Sequence, residues 1–181
     1  NSNLSHPILD RLMVFLTNQN NWVIPILLLI IWMLRYDKKR GKIALAILII
    51  TVLAVDIIAA QIIKPLIGRI RPSHSMADSI NLLVKSGGYF SFVSNHAANT
   101  FALATVLCYF YGNKLNWLFL LAGVIALSRI YVGVHYPADV LFGALYGYTM
   151  AWLVLSIWVI VKMRELKKNR TWVWYYQRDK N

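Results

Sequence analysis

The sequence predicts an all-α integral membrane helical bundle, with about five transmembrane helices and an N-terminal interfacial helix. First, the apolar runs at 43–63, 115–134 and 138–161 each approach or exceed the roughly 20 residues that cross a bilayer as a helix. Second, 59% of the 181 residues are hydrophobic although the formal net charge is +12, a combination foreign to a soluble domain of this size. We expect a single transmembrane domain over residues 1–181.

Two shorter apolar runs complete the five predicted spans. Residues 22–34 and 97–111 give roughly 20 Å of helix each, so they need flanking residues to cross the hydrocarbon. Ahead of them, residues 8–16 place apolar side chains at helical spacing around Asp10 and Arg11. This stretch is too short to span, and we predict that it lies flat on the membrane surface. The alternative is an extension of the first span.

The basic residues indicate how the spans are oriented. Residues 35–42 contain five Lys or Arg and residues 162–181 contain seven, together 12 of the 19 in the chain. Short segments rich in Lys and Arg stay in the cytoplasm, and five spans place both segments on that side. Residues 64–96 then form an external loop, with a short helix expected at 79–85, and 162–181 form a cytoplasmic basic tail. Because the charges flank spans instead of forming one basic face, no nucleic-acid partner is expected.

The same orientation brings three polar clusters together on the outer side of the membrane, where ionisable groups usually mark a function. Lys64, Arg71 and Arg129 offer positive charge suited to phosphate oxygens. Histidines can exchange protons near neutral pH. The clusters are, in chain order, Lys64, Arg69, Arg71 and His74; Ser94, Asn95 and His96; and Ser128, Arg129, His135 and Asp139.

His135 and Asp139 form the most informative pair. Pro137 suits the first position of a helix, so His135 precedes the fifth span and Asp139 lies about one turn further on. A carboxylate there can hold the imidazole in one tautomer and leave its other nitrogen free to attack. A purely structural role for such a pair is the alternative. Asp56, inside the second span, is interpreted as a hydrogen-bond partner of another helix, with substrate selection as its alternative.

These spacings resemble the type 2 phosphatidic acid phosphatase family over roughly residues 56–143. Lys64, six residues and then Arg71-Pro72 resemble its first signature. Ser128-Arg129, five residues, His135, three residues and Asp139 match its third signature. The second signature, Pro-Ser-Gly-His, corresponds to residues 93–96, where this chain has Val and Asn at the first and third positions.

The resemblance implies a membrane-embedded phosphatase that works through a phosphohistidine. His135 would be the nucleophile and Asp139 its orienter, while His96 would protonate the leaving oxygen and later activate water. Neither a metal ion nor a cofactor is expected, because positive side chains supply the charge. The expected ligands of the phosphoryl group are Lys64, Arg71, Ser94, Asn95 and Arg129, and the possible headgroup contacts are Arg69 and His74.

The expected partners are the bilayer and a phosphorylated membrane lipid. The resemblance favours undecaprenyl diphosphate or lipid A 1-phosphate, with phosphatidylglycerophosphate or phosphatidic acid as alternatives. The expected location is a bacterial cytoplasmic membrane, with the site facing the periplasm or the cell exterior; the oligomeric state is not predicted. Two other classes remain open, a transporter and a metal-dependent hydrolase with His74, His96, His135 and Asp139 as ligands.

Overall fold

The computed structural model describes residues 5–76, 79–85 and 87–174, and in these residues the all-α prediction is confirmed. Two 3-10 turns, at Gln19–Trp22 and Asn113–Leu115, join neighbouring helices. The α-helices are α1 (Pro7–Thr17), α2 (Val23–Arg35), α3 (Lys38–Ile58), α4 (Lys64–Ile67), α5 (Pro72–Ser75), α6 (Asn95–Tyr111), α7 (Trp117–Tyr131) and α8 (Pro137–Lys167).

The second predicted span is a single long helix, because α3 continues through a π-helical turn at Ala59–Ile63 into α4. Such turns often occur at functional sites, and here the turn directly precedes Lys64. The helix ends at Gly68, whose φ of 63° lies in the left-handed region that glycine adopts without strain. The span therefore extends slightly beyond the predicted end at residue 63.

Within the described residues, three helices are long and apolar enough to cross a membrane: Lys38–Ile67, Asn113–Tyr131 and Pro137–Lys167. A fourth span is formed if α1 and Gln19–Arg35, which are bent by 65°, count as one. The remaining long helix, α6, has 17 residues, about 25 Å of helix, and lies at the centre of the bundle against α3, α7 and α8. The chain is a multi-pass membrane protein, and the division into five spans stays a prediction.

The closest helix contact lies between α6 and α8. Gly147 faces the backbone of Ala98, and a Cβ atom added to it would lie 1.9 Å from the Ala98 carbonyl oxygen. Gly143 meets Ser94 one turn further out, and the backbone N–H of Ser94 donates to the carbonyl of Asp139 at 3.0 Å. Small residues allow helices to approach this closely in membranes. The contact fixes the start of α6 beside the start of α8.

The external loop differs from its prediction. The described residues 79–85 form no α-helix, whereas the earlier part of the loop contains the short helix α5 (Pro72–Ser75). Pro72 occupies the first helical position and presets its φ angle, whereas a seven-residue segment has no comparable start signal and cannot nucleate a helix by itself. Residues 77, 78 and 86 of this loop lie outside the described part.

The two basic segments meet at one end of the bundle, as the prediction that both lie on the same side of the membrane requires. The Lys39 ammonium donates to the carbonyl of Thr171, and the Arg40 guanidinium lies 5.6 Å from the Trp174 ring centroid. The polar loops that follow α4 and α7 lie at the opposite end, which we call the outer end after its predicted side of the membrane. Residues 175–181 of the predicted tail are outside the described residues.

Candidate active site

His135 is the buried centre of the outer end, 3% exposed in the short loop between α7 and α8. Its Nε2 lies 3.1 Å from Nη1 of Arg71, which can only donate, so Nε2 is the accepting nitrogen. Its Nδ1 lies 3.5 Å from Oδ2 of Asp139 and has no closer partner among the described residues. The imidazole proton therefore belongs on Nδ1, and the lone pair on Nε2 points into the site.

Burial lowers the pKa of His135 to about 4. The contact with Asp139 opposes this effect, whereas the positive charges of Arg71 and Arg129 add to it. A neutral imidazole at pH 7 follows, and this is the form in which Nε2 can attack an electrophile.

Asp139 is fully buried at the start of α8, where its carboxylate accepts two hydrogen bonds and faces the ring of His135. Its Oδ2 accepts from the backbone N–H of Tyr136 at 2.9 Å, and its Oδ1 accepts from Nη1 of Arg69 at 3.0 Å. The Arg69 guanidinium also lies over the rings of Phe92 and Tyr136. Arg69 was predicted to contact the headgroup; in the structure it hydrogen-bonds to the carboxylate that faces His135.

Arg71 joins the external loop to the rest of the site. It is 8% exposed, and its Nε donates to the carbonyl of Phe90 while Nη1 reaches both Val134 and His135. Its backbone N–H donates to the carbonyl of Tyr89. These contacts hold the guanidinium against the nitrogen from which an attack would start.

Three donors at the site have no hydrogen-bond partner among the described residues. The buried hydroxyl of Ser94 and the buried Nε of Arg129 are both unpaired. The half-buried ammonium of Lys64 makes no hydrogen bond or ion pair there, although it lies close enough to Arg71, Arg129 and Asp139 for their charges to act on it. A buried donor without a partner costs desolvation free energy. An anion with several oxygen atoms would satisfy all three donors of this cluster.

Thr17, which no motif in the sequence singled out, also reaches the site. It is 4% exposed at the end of α1, and its Oγ1 accepts from Nη1 of Arg129 at 2.6 Å. Its backbone carbonyl also lies close enough to the ring of His96, in the first turn of α6, to act on it electrostatically. No local pattern around Thr17 signals this, because both contacts depend on how α1 packs against the outer end of α7.

Asn95 does not turn its side chain toward the other predicted phosphate ligands. Its Nδ2 donates to Oδ1 of Asp56 at 2.7 Å, and Asn99 donates to the same oxygen at 3.0 Å. The interpretation of Asp56 as a hydrogen-bond partner of another helix is confirmed. For Asn95 as a phosphate ligand, only the backbone N–H at the start of α6 remains available.

His74 is exposed in α5, with its ring 5.5 Å from that of Tyr89 and its Nε2 3.4 Å from the carbonyl oxygen of Gly87. An open groove of about 780 Å³, lined in part by Arg69, Ser75 and Tyr136, runs over the outer end. In the described part of the chain, no group of three or more His, Cys, Asp or Glu side chains is placed to hold a metal ion. The four residues of the metal-dependent alternative are therefore not assembled as a ligand set.

Comparison with known proteins gives the family. The model of the PAP2 superfamily matches residues 43–162, which include the three polar clusters. A lipid A 4'-phosphatase of Bacteroides thetaiotaomicron is 34% identical over 160 residues, 83% of this chain and 70% of that protein. The undecaprenyl-diphosphatase BcrC of Bacillus subtilis is 30% identical over 143 residues, 76% of this chain and 70% of its own.

A solved structure is also similar to this chain, in sequence and in fold. The crystal structure of Aquifex aeolicus LpxE shares 29% sequence identity and superposes with a TM-score of 0.70 over 85% of this chain and 89% of that one. These matches favour an enzyme over the transporter that the sequence alone left open. The chain belongs to the PAP2 superfamily and is a membrane-embedded lipid phosphatase.

Proposed function

We propose that His135 attacks the phosphorus atom of a lipid phosphate and carries the phosphoryl group as a phosphohistidine. In the first step the Nε2 lone pair forms a P–N bond while the bond from phosphorus to the leaving oxygen breaks. His96 gives its proton to that oxygen. Asp139 stabilises the positive charge that the imidazole gains, because it already faces Nδ1.

In the second step water releases the phosphate. His96, now neutral, takes a proton from the water molecule as its oxygen bonds to phosphorus, and the P–N bond breaks. Inorganic phosphate leaves, and both histidines return to their starting states. Lys64, Arg71 and Arg129 stabilise the negative charge on the phosphoryl oxygens in both steps.

The observation that carries this proposal is the set of unpaired donors at the same end of the bundle as His135. The hydroxyl of Ser94, Nε of Arg129 and the ammonium of Lys64 lack partners among the described residues. The backbone N–H groups at the start of α6 add further donors and the positive end of its dipole. A phosphoryl group has oxygen atoms for all of them.

For the substrate, we propose a phosphate of lipid A, the class named for the Bacteroides relative. The open groove beside Arg69 and Tyr136 supports a bulky headgroup, because it offers both a charged and a hydroxyl donor next to the site. Undecaprenyl diphosphate is the second candidate, favoured by the similarity to BcrC.

Phosphate release from both lipids, measured on purified protein in detergent with a chelator present, tests the reaction. His135→Ala should lower the rate more than about a thousandfold, and an acid-labile phosphoryl label should form on the wild type but not on this variant. Substantial activity of His135→Ala would reassign the nucleophile. Activity that disappears with chelator and returns with a divalent ion would favour the metal-dependent alternative.

The site is further proposed to face the periplasm or cell exterior from a bacterial cytoplasmic membrane. One domain would cover residues 1–181, with 8–16 at the interface, 64–96 outside and 162–181 in the cytoplasm. Support comes from the two basic segments, which meet at the end opposite the site. In a Cys108→Ala background, Ser79→Cys should react with an impermeant thiol reagent in intact cells, and labelling only after the membrane is opened would invert this topology.

A further inference from the structure

Thr17 makes the one side-chain hydrogen bond that Arg129 forms within the described residues. Its Oγ1 accepts from Nη1 at 2.6 Å, and the residue is 4% exposed. A hydrogen bond from a guanidinium is charge-assisted, and such bonds are shorter and stronger than neutral ones. Thr17 therefore restrains the one cationic group that α7 brings to the site.

This restraint determines which edge of the guanidinium remains available. Nη1 is turned toward α1, and Nε, which is buried and unpaired, shares the opposite edge with Nη2. Two parallel N–H groups on one edge are the arrangement that binds two oxygens of a phosphate. With Thr17 in place, Arg129 presents that edge without any rearrangement.

Thr17 also contacts the second histidine. Its backbone carbonyl lies where it can accept a hydrogen bond from the ring of His96, an arrangement that would place a proton on the nitrogen facing Thr17 and leave the other nitrogen for proton exchange. One residue thus contacts both the phosphate-binding arginine and the acid–base histidine, which lie on two different helices.

The helix that carries Thr17 is fixed at both ends. Near its start, Oδ1 of Asp10 accepts from the hydroxyl of Tyr131 at 2.5 Å. At its end, the Leu16 carbonyl accepts from Nε1 of Trp22 at 2.9 Å. The first bond joins α1 to the end of α7 and the second closes the turn that follows α1, so Thr17 is held where it meets Arg129. All of α1 lies outside the residues 43–162 that the family model matches.

We propose that Thr17 is a positioning residue of the active site, which orients Arg129 toward the phosphoryl group and fixes the ring of His96. Helix α1 then contributes a residue to the active site, in addition to any contribution to membrane attachment. The proposal rests on the functions of Arg129 and His96 proposed above.

Thr17→Val, which keeps the shape of the side chain and removes its hydroxyl, tests the contact with Arg129. We expect kcat/KM to fall about tenfold and the inhibition constant for orthovanadate to rise about tenfold, the order expected for one charge-assisted hydrogen bond. Thr17→Ser should stay within about twofold of the wild type. Matched controls are Thr51→Val and Thr105→Val, buried threonines whose hydroxyls bond only the carbonyl one turn back, and both should keep the wild-type values.

A double-mutant cycle separates positioning from packing. If Thr17 acts through Arg129, then Thr17→Val added to Arg129→Lys should change orthovanadate inhibition by less than about twofold. A full tenfold loss in that background would overturn the proposal, as would wild-type values for Thr17→Val or a Thr17→Ser variant as impaired as Thr17→Val. An inactive wild-type protein would instead count against the proposed function itself.

Discussion

The two ends of the bundle both carry positive charge but hold it in different ways. At the outer end Arg71 is 8% exposed, and the half-buried Arg129 leaves its Nε without a partner among the described residues. At the opposite end Lys38 and Lys167 are exposed to the surroundings, and Arg40 is paired with Asp37 at 2.8 Å. The same residue types are therefore exposed or paired at one end and can bind an anion at the other.

The difference follows from the cost of removing a charge from water. An exposed lysine near the headgroups keeps its hydration and gains from anionic lipid, so it needs no specific partner. A buried cation without a counter-ion loses its hydration and is stabilised only when an anion enters. Burial, more than the count of basic residues, distinguishes a binding site from a topology signal.

The largest expected effect separates the two ends directly. Arg129→Ala should reduce the rate of phosphate release about a thousandfold, because it removes charge stabilisation of the transition state. Lys167→Ala, an exposed cation at the other end, should remain within about twofold of the wild type. Comparable losses in both variants, measured with the same lipid, would contradict the distinction.

Burial at the outer end should also be visible in the titration of His135. Its pKa of about 4, against the ordinary 6.5, means that the imidazole stays neutral at pH 5.5. Between about pH 6.5 and 4 the unfolded chain takes up a proton that the folded chain does not, so stability falls as pH falls through this window. NMR of 15N-labelled histidine, assigned with His135→Gln, measures the value, and titration near 6.5 would show that the site is hydrated.

A third test concerns the close contact that assembles the outer end. Gly147→Ala would place a Cβ 1.9 Å from the Ala98 carbonyl, so α6 and α8 must separate, at a cost of about 1–3 kcal/mol and some activity. Gly123→Ala, on α7, meets nothing within 4 Å and should be neutral or slightly stabilising. Unfolding of both variants in detergent gives the comparison, and equal stabilities would mean that the helix contact is looser than described.

The smallest expected effect belongs to Asn95. Asn95→Gly removes one of two amide donors to Asp56, so it should cost at most about 1–2 kcal/mol in transition-state stabilisation. The backbone N–H at that position survives the change. Ser94→Ala should lose more activity, since its hydroxyl is among the unpaired donors. If Asn95→Gly proved as inactive as His96→Ala, the amide would be a catalytic group.

Several features of this protein were readable from local sequence. Apolar runs near bilayer length predicted the long helices, because the hydrocarbon thickness sets the length of a span. Start signals were equally local: Pro137 begins α8, and α6 begins directly after Ser94, as expected. The order and spacing of the three signatures predicted the family, because each lies within one helix end or the loop beside it.

The connections between distant segments were decided by packing. Thr17 meets Arg129 across 112 residues, Arg69 meets Asp139 across 70, and Asn95 turned to Asp56. Helical periodicity predicts which residues share a face of a helix. It does not predict which neighbouring helix packs against that face, or at what height along the bundle. Here depth and rotation depend on contacts such as Gly147 against the Ala98 backbone. The sequence alone therefore determined the helices and the chemistry of the outer end, while only the tertiary structure brought α1 to that end and turned the Asn95 amide toward α3.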